Sequence, residues 1–181
     1  MAQITPEDFW VRYREECRST GTRQSLRKDP SWTKIAIEAA KTVCRRAELE
    51  IGHELYLDVM GYEQRRKGVP YNWDLRVAFE HENNPETWQD ELCKLCHVAA
   101  NLCVLASYFF RWDGLEKLLQ DRIDLMGERT NIVRGREWLF IFGPRESEEL
   151  DKPWVAYKLD ESRRLKSLPN ERPFNPYRDL K

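Results

Sequence analysis

The chain has 181 residues, with 30 Lys and Arg against 31 Asp and Glu, a formal charge of −1, and 41% hydrophobic residues. That length suits a single domain with a sizeable core, and seven each of Trp, Tyr and Phe exclude a disordered chain although 34% of residues are charged. The longest nearly apolar run, Leu102–Phe110, is half of the ~18 residues that suggest a membrane span, and the N-terminal Met-Ala-Gln-Ile-Thr-Pro-Glu-Asp has no basic start or apolar signal core, so a cytoplasmic protein with reduced thiols is expected.

Thr5-Pro6-Glu7-Asp8 reads as an N-cap, a proline at the first helical position and acids in the first turn, predicting a short helical lid over residues 1–28 that carries Phe9, Trp10 and Tyr13. Asp29-Pro30 repeats the start signal before a first long helix, Trp32–Glu50, with Ile35, Ala39, Val43 and Ala47 at helical spacing. Glu54–Glu63 and Asp74–Asn83 read as strands, and the turn-rich, basic stretch between them makes a hairpin the simplest connection. Asn84-Pro85 opens a helix with Trp88, Leu92, Leu95, Ala99 and Leu102 on one stripe. Leu102–Phe110 follows as a buried strand. Asp113-Gly-Leu-Glu116 resembles a capping box and opens a helix ended by Gly127. Glu137–Phe142 and Trp154–Leu159 read as further strands, and a polar tail covers residues 161–181. This order implies an α/β sandwich, a single domain over residues 1–160 with its core at 32–142.

The chemistry sits on the hairpin. Alternation puts Leu55, Leu57 and Val59 on one face of its first strand and Tyr56, Asp58 and Met60 on the other; in its second strand Ala78, Glu80 and Glu82 lie opposite Val77 and Phe79. A hairpin centred near Val69 faces Asp58 with Glu80, and Tyr56 with Glu82. Three acids on one patch repel one another unless a cation or protonation relieves them. A hard divalent ion such as Mg²⁺ or Mn²⁺ is the simplest remedy, and in a phosphodiester site it polarises phosphate and activates water. Solvent-facing charges on a half-exposed sheet are the competing account of the same pattern.

The run of helix, Leu-Tyr-Leu-Asp58-Val-Met and Arg-Val-Ala-Phe-Glu80-His-Glu82-Asn resembles the core of the PD-(D/E)xK, or restriction-endonuclease-like, nuclease superfamily over roughly Trp32 to Phe142. The resemblance implies an αββαβ core with a mixed sheet flanked by helices. It also implies a metal-dependent nuclease acting on nucleic acid, more readily DNA, with Mg²⁺ as cofactor and a homodimer as one possible assembly. Asp58 and Glu80 match the family's acids, whereas Glu82 stands where most members carry Lys. Some members are similar in having an acid there; others recruit a Lys from the following helix, for which Lys94 is the candidate, although Glu91 three residues earlier also offers it an ordinary helix-surface pair. The backbone carbonyl of His81 is implied as a further metal ligand. A first-helix acid often joins such sites, and Glu38, embedded in Ile-Ala-Ile-Glu-Ala-Ala, is the best placed; an exposed helix charge is the other account of it. The departure at Glu82 keeps alive a rival function, a catalytically inactive nuclease-fold protein that binds nucleic acid or a protein partner.

Cys93-Lys-Leu-Cys96-His97 satisfies the pattern for covalent haem, but its members fall on or beside an apolar helix stripe, where Cys behaves as a small hydrophobe; zinc lacks a second ligand pair. The phosphate-loop, dinucleotide and nucleophile-elbow motifs are absent from the sequence. Near-zero net charge argues against a general polyanion binder, but Arg65, Arg66 and Lys67 in the hairpin loop, Arg134 and Arg136 before the fourth strand, and Arg163, Arg164 and Lys166 in the tail are candidate phosphate contacts. Tyr71 and Trp73 are candidate base-stacking residues.

Overall fold

Two apolar periodicities, one of helices and one of strands, sort the buried side chains into two sets with a sheet between them. The computed structural model describes residues 3–20, 32–52, 54–66, 72–109, 114–129, 135–144, 152–170 and 173–175. Among these lie helices α1 (Pro6–Thr20), α2 (Trp32–Arg46), α3 (Trp88–Cys96) and α4 (Leu115–Arg129). The strands are β1 (Glu50–Gly52), β2 (Val59–Gln64), β3 (Trp73–Glu82), β4 (Leu102–Phe109), β5 (Glu137–Pro144), β6 (Val155–Leu159) and β7 (Leu165–Ser167). They form one seven-stranded mixed sheet in sequence order. β1, β2 and β3 are antiparallel, β3, β4 and β5 are parallel, and β6 and β7 return antiparallel. Parallel neighbours need a crossover, which α3 supplies between β3 and β4 and α4 between β4 and β5.

Strand alternation divides the core. Val77, Phe79, Val104 and Ile141 pack against Phe9 and Tyr13 of α1 and Ile35, Ala39 and Val43 of α2. Met60, Ala78, Leu105 and Phe140 pack against Trp88, Leu92 and Leu95 of α3 and Leu115, Leu119 and Ile123 of α4. The central strands are thus buried on both faces, as parallel strands are, and each large side chain removed from water contributes roughly 1.5–3 kcal/mol. No helix among the described residues is long and apolar enough to cross a membrane.

Several expectations need correction. Thr5 does cap α1, its Oγ1 accepting the Asp8 N–H at 3.2 Å, but α1 is no lid: Phe9 and Tyr13 lie against Phe79, with ring centroids 6.3 and 5.9 Å away. The first long helix stops at Arg46, since Glu48 takes a φ of 61° and Leu49 leads into β1, a strand too short to leave a pattern. Strand β2 starts at Val59 rather than Glu54. Residues Glu54–Tyr56 form a tight turn in which Leu55 and Tyr56 both have positive φ, so the expected alternation fails there and Leu57 joins Met60 in the core beside α3. Helix α4 runs past Gly127 to Arg129, while Asp113 lies outside the described residues. The tail expected from Glu161 is instead part of the fold over most of its described length: β7 extends the sheet, and Leu168 and Phe174 are buried beside α1 and α2. The Trp154 N–H donates to the Phe174 carbonyl at 2.7 Å, fixing that return.

The β2–β3 ladder pairs Val59 with Phe79, Met60 with Ala78 and Gly61 with Val77, the register of a hairpin centred at Val69. A one-residue shift after Gly61 changes the pairing toward the loop end. That register carries Asp58, just before β2, to the level of Glu80.

Candidate active site

Glu80 lies on the β3 face covered by α3, beside Leu105 of β4, and is 2% exposed. A carboxylate is costly there. Burial pushes the Glu80 carboxyl up to about 8, the charges of Asp58 and Glu91 push it the same way, and Lys94 opposes them. The apolar stripe of α3 docks Trp88, Leu92 and Leu95 on the sheet and leaves Lys94 on the helix flank, where its Nζ donates to Glu80 Oε1 at 2.9 Å. The same ammonium lies 2.5 Å from Glu91 Oε2, one helical turn earlier, and donates to the Tyr56 carbonyl at 3.2 Å. Desolvation works against the Lys94 charge, but the hydrogen bonds to Glu91 and Glu80 outweigh it and raise its pKa. Lys94 is therefore a held cation that bridges α3, β3 and the turn before β2.

Asp58, just before β2, faces the same centre. Its Oδ2 accepts the His81 backbone N–H at 2.8 Å, so the side chain anchors the end of the ladder where the β2 backbone has turned away. His81 itself points through the sheet, as alternation predicts: it is 6% exposed, meets Tyr108 edge-on with centroids 5.6 Å apart, and burial pushes its pKa down to about 4. Its imidazole is thus neutral packing, and only its backbone belongs to the site.

Glu82 and Glu38 do not join this centre. The Glu82 carboxylate folds back to accept the Asn84 N–H at 2.6 Å, and its carbonyl accepts the Ser107 hydroxyl at 3.0 Å, so this residue caps the turn after β3. Glu38 projects from α2, whose apolar stripe packs on the opposite face of the sheet; it pairs with Lys41 at 2.8 Å, and that hydrogen bond lowers its pKa. Among the described residues there is no group of three or more His, Cys, Asp or Glu side chains arranged to hold a metal ion. What the site offers is two carboxylates, Asp58 and Glu80, with a cation between two acids beside them. Sequence reasoning named Glu91 only as a helix-surface partner of Lys94 and missed the Tyr56 carbonyl. The one left a signal in its spacing from Lys94; the other depends on a turn that alternation cannot reveal.

The basic candidates are scattered. Arg65 is clamped to Asp74, its Nε donating at 2.5 Å, and Asp74 lies six residues, about 20 Å at ~3.3 Å per residue, from Glu80 along β3. Arg66 is exposed. Lys67, Tyr71 and Arg134 lie outside the described residues. Trp73 packs against Tyr62 with ring centroids 5.9 Å apart, at the end of β3 remote from Glu80. Arg136 donates to the Cys96 carbonyl at 3.3 Å, Arg164 pairs with Asp124 at 3.4 Å, and Lys166 with Asp160 at 3.6 Å. Of the two cysteines in the haem-like pattern, Cys93 is exposed and Cys96 is buried.

Comparison with protein-family models and with curated proteins finds no match to this chain.

Proposed function

We propose that the chain is a metal-dependent nuclease of the restriction-endonuclease-like kind, hydrolysing phosphodiester bonds, in DNA by preference. The observation that carries this is the junction of Asp58, Glu80 and Lys94: one carboxyl on β3, buried and proton-retaining, a second just before β2, and a fixed ammonium touching the first. Its context also supports the proposal, because α2, β2, β3, α3 and β4 follow one another in the αββαβ order, with β1 added ahead of β2. Geometry favours Lys94 over Glu82 in the place of the family's lysine, since Glu82 is spent on a turn.

The donors suit a hard divalent ion. Mg²⁺ takes one or two carboxylates and keeps several waters, and a bound cation would offset both the burial and the Asp58 and Glu91 charges that raise the Glu80 carboxyl. Asp58, Glu80 and the His81 carbonyl would hold the ion, which when bound supplies polarisation of the phosphate and a more acidic water. The rest falls to side chains. Lys94, kept protonated by Glu80 and Glu91, orients the attacking water and stabilises negative charge growing on the phosphate oxygens. Glu91 holds that ammonium in place, and the Asp58 link to the His81 N–H fixes the spacing of the two strands. The second reading, an inactive protein of this fold that binds nucleic acid or a protein partner, draws on one observation: every charged group of the centre already has a partner within the chain.

The test is incubation of supercoiled, linear and single-stranded DNA and of RNA with Mg²⁺ or Mn²⁺, comparing the wild type with Asp58→Ala and Glu80→Ala. Metal-dependent cleavage lost in both variants is expected. Uncut substrates, or variants as active as the wild type, refute the nuclease proposal and favour the binding protein.

A further inference from the structure

The turn before Asp58 is strained and presents its largest side chain to solvent. Leu55 (φ 62°) and Tyr56 (φ 56°) are consecutive left-handed residues, a conformation that glycine or asparagine adopts readily and bulky residues adopt at a cost. The turn is fastened at its exit. Leu57 is buried among Met60, Leu92 and Leu95, and the Tyr56 carbonyl accepts the Lys94 ammonium that also contacts Glu80. Next to these anchors the Tyr56 side chain stands 94% exposed, and Leu55 beside it is 48% exposed. An exposed phenol ring on strained backbone contributes nothing to the core and is open to contact from another molecule.

We propose that Tyr56 is a substrate-positioning residue that stacks on an unpaired nucleobase next to the phosphate addressed by Asp58, Glu80 and Lys94. This rests on the nuclease reading and names the substrate class of that site, a single-stranded or locally opened strand. The chemistry fits: a flat, solvent-facing aromatic ring accepts any base by stacking, an interaction that tolerates sequence. The bridge through Lys94 ties the ring's backbone to the phosphate-handling ammonium, so base and phosphate would be held by one rigid unit. Trp73 cannot serve this centre, because it lies at the far end of β3 against Tyr62.

The experiment measures binding of a fluorescein-labelled oligothymidylate of about twelve nucleotides, of the same length made of abasic sites, and of a duplex, by anisotropy with Ca²⁺ in place of Mg²⁺. Wild type, Tyr56→Phe, Tyr56→Ala and Tyr56→Gly are compared. The expected result is about tenfold or greater weakening for Tyr56→Ala and Tyr56→Gly on oligothymidylate. Tyr56→Phe should stay near wild type, and on the abasic strand all four proteins should bind equally. Tyr56→Gly should also melt higher than wild type, which separates lost stacking from lost folding. Equal binding of oligothymidylate by wild type and Tyr56→Ala, or binding of duplex alone, overturns the stacking role while leaving the nuclease reading intact if Asp58→Ala and Glu80→Ala still abolish cleavage. A wild type that neither binds nor cuts any nucleic acid overturns both.

Discussion

Replacing Glu80 by Gln should stabilise the protein at alkaline pH while removing its chemistry. The folded-state pKa of about 8 lies above the ordinary 4.5 because the carboxyl is buried, with Asp58 and Glu91 nearby and only Lys94 to oppose them. Between those two values the folded chain holds a proton that the unfolded chain releases. The favourable contribution of the neutral form is therefore complete below about pH 4.5 and is lost as pH rises through about 8. A rise of that size corresponds to roughly 4–5 kcal/mol. Gln reproduces the shape of the protonated acid and still accepts from Lys94, so the variant should match wild type near pH 5 and exceed it at pH 8. For a chain of this length that is about 10 °C in melting temperature. Calorimetric or fluorescence melting across pH 5–9 reads it. A Glu80→Gln variant that melts below wild type at pH 8, with an unchanged pH slope, would mean that Glu80 is a charged structural partner of Lys94 and would refute the reasoning.

Lys94→Met leaves Glu80 and Glu91 without their common cation and should cost about 1–2 kcal/mol at pH 8, solvent access to the ammonium trimming the loss; urea unfolding at pH 8 checks it, and little change at pH 5 is expected. Asp58→Asn keeps an acceptor for the His81 N–H but removes a negative charge from beside Glu80, so the Glu80 titration followed by carboxyl carbon NMR should move to lower pH. Gly143→Ala lies away from the acids and should cost at least about 2–3 kcal/mol, because a Cβ there would come within 2.1 Å of Trp154 Cε2; a melting temperature equal to wild type would refute that packing.

What was legible in the sequence follows from which interactions are periodic. Alternation in β3 correctly placed Glu80 beside Ala78 and His81 through the other face, because a strand buried on both sides allows no slip. The hairpin register at Val59–Gly61 was legible for the same reason. Alternation failed at Leu55–Leu57, where two positive φ values turn the chain, and residue type gave no warning since neither is glycine or asparagine. The place of Glu38 was partly readable: it shares the charged flank of α2 with Lys34, Lys41 and Arg45, which its apolar neighbours masked. The contact of Lys94 with Glu80 crosses from helix to strand, so no spacing rule encodes it; only the resemblance suggested it. Strands β1 and β7, three residues each, are made by pairing with the sheet rather than by local propensity.

The central question is whether Asp58 and Glu80 take a divalent ion at the expense of the Glu80 proton. Titration calorimetry of Mg²⁺ and Mn²⁺ at pH 7, in two buffers of different ionisation enthalpy, measures both events. Binding should release about one proton per ion, and Glu80→Gln should bind far more weakly and release none. No binding at millimolar metal, or binding that Glu80→Gln leaves unchanged, would contradict that exchange.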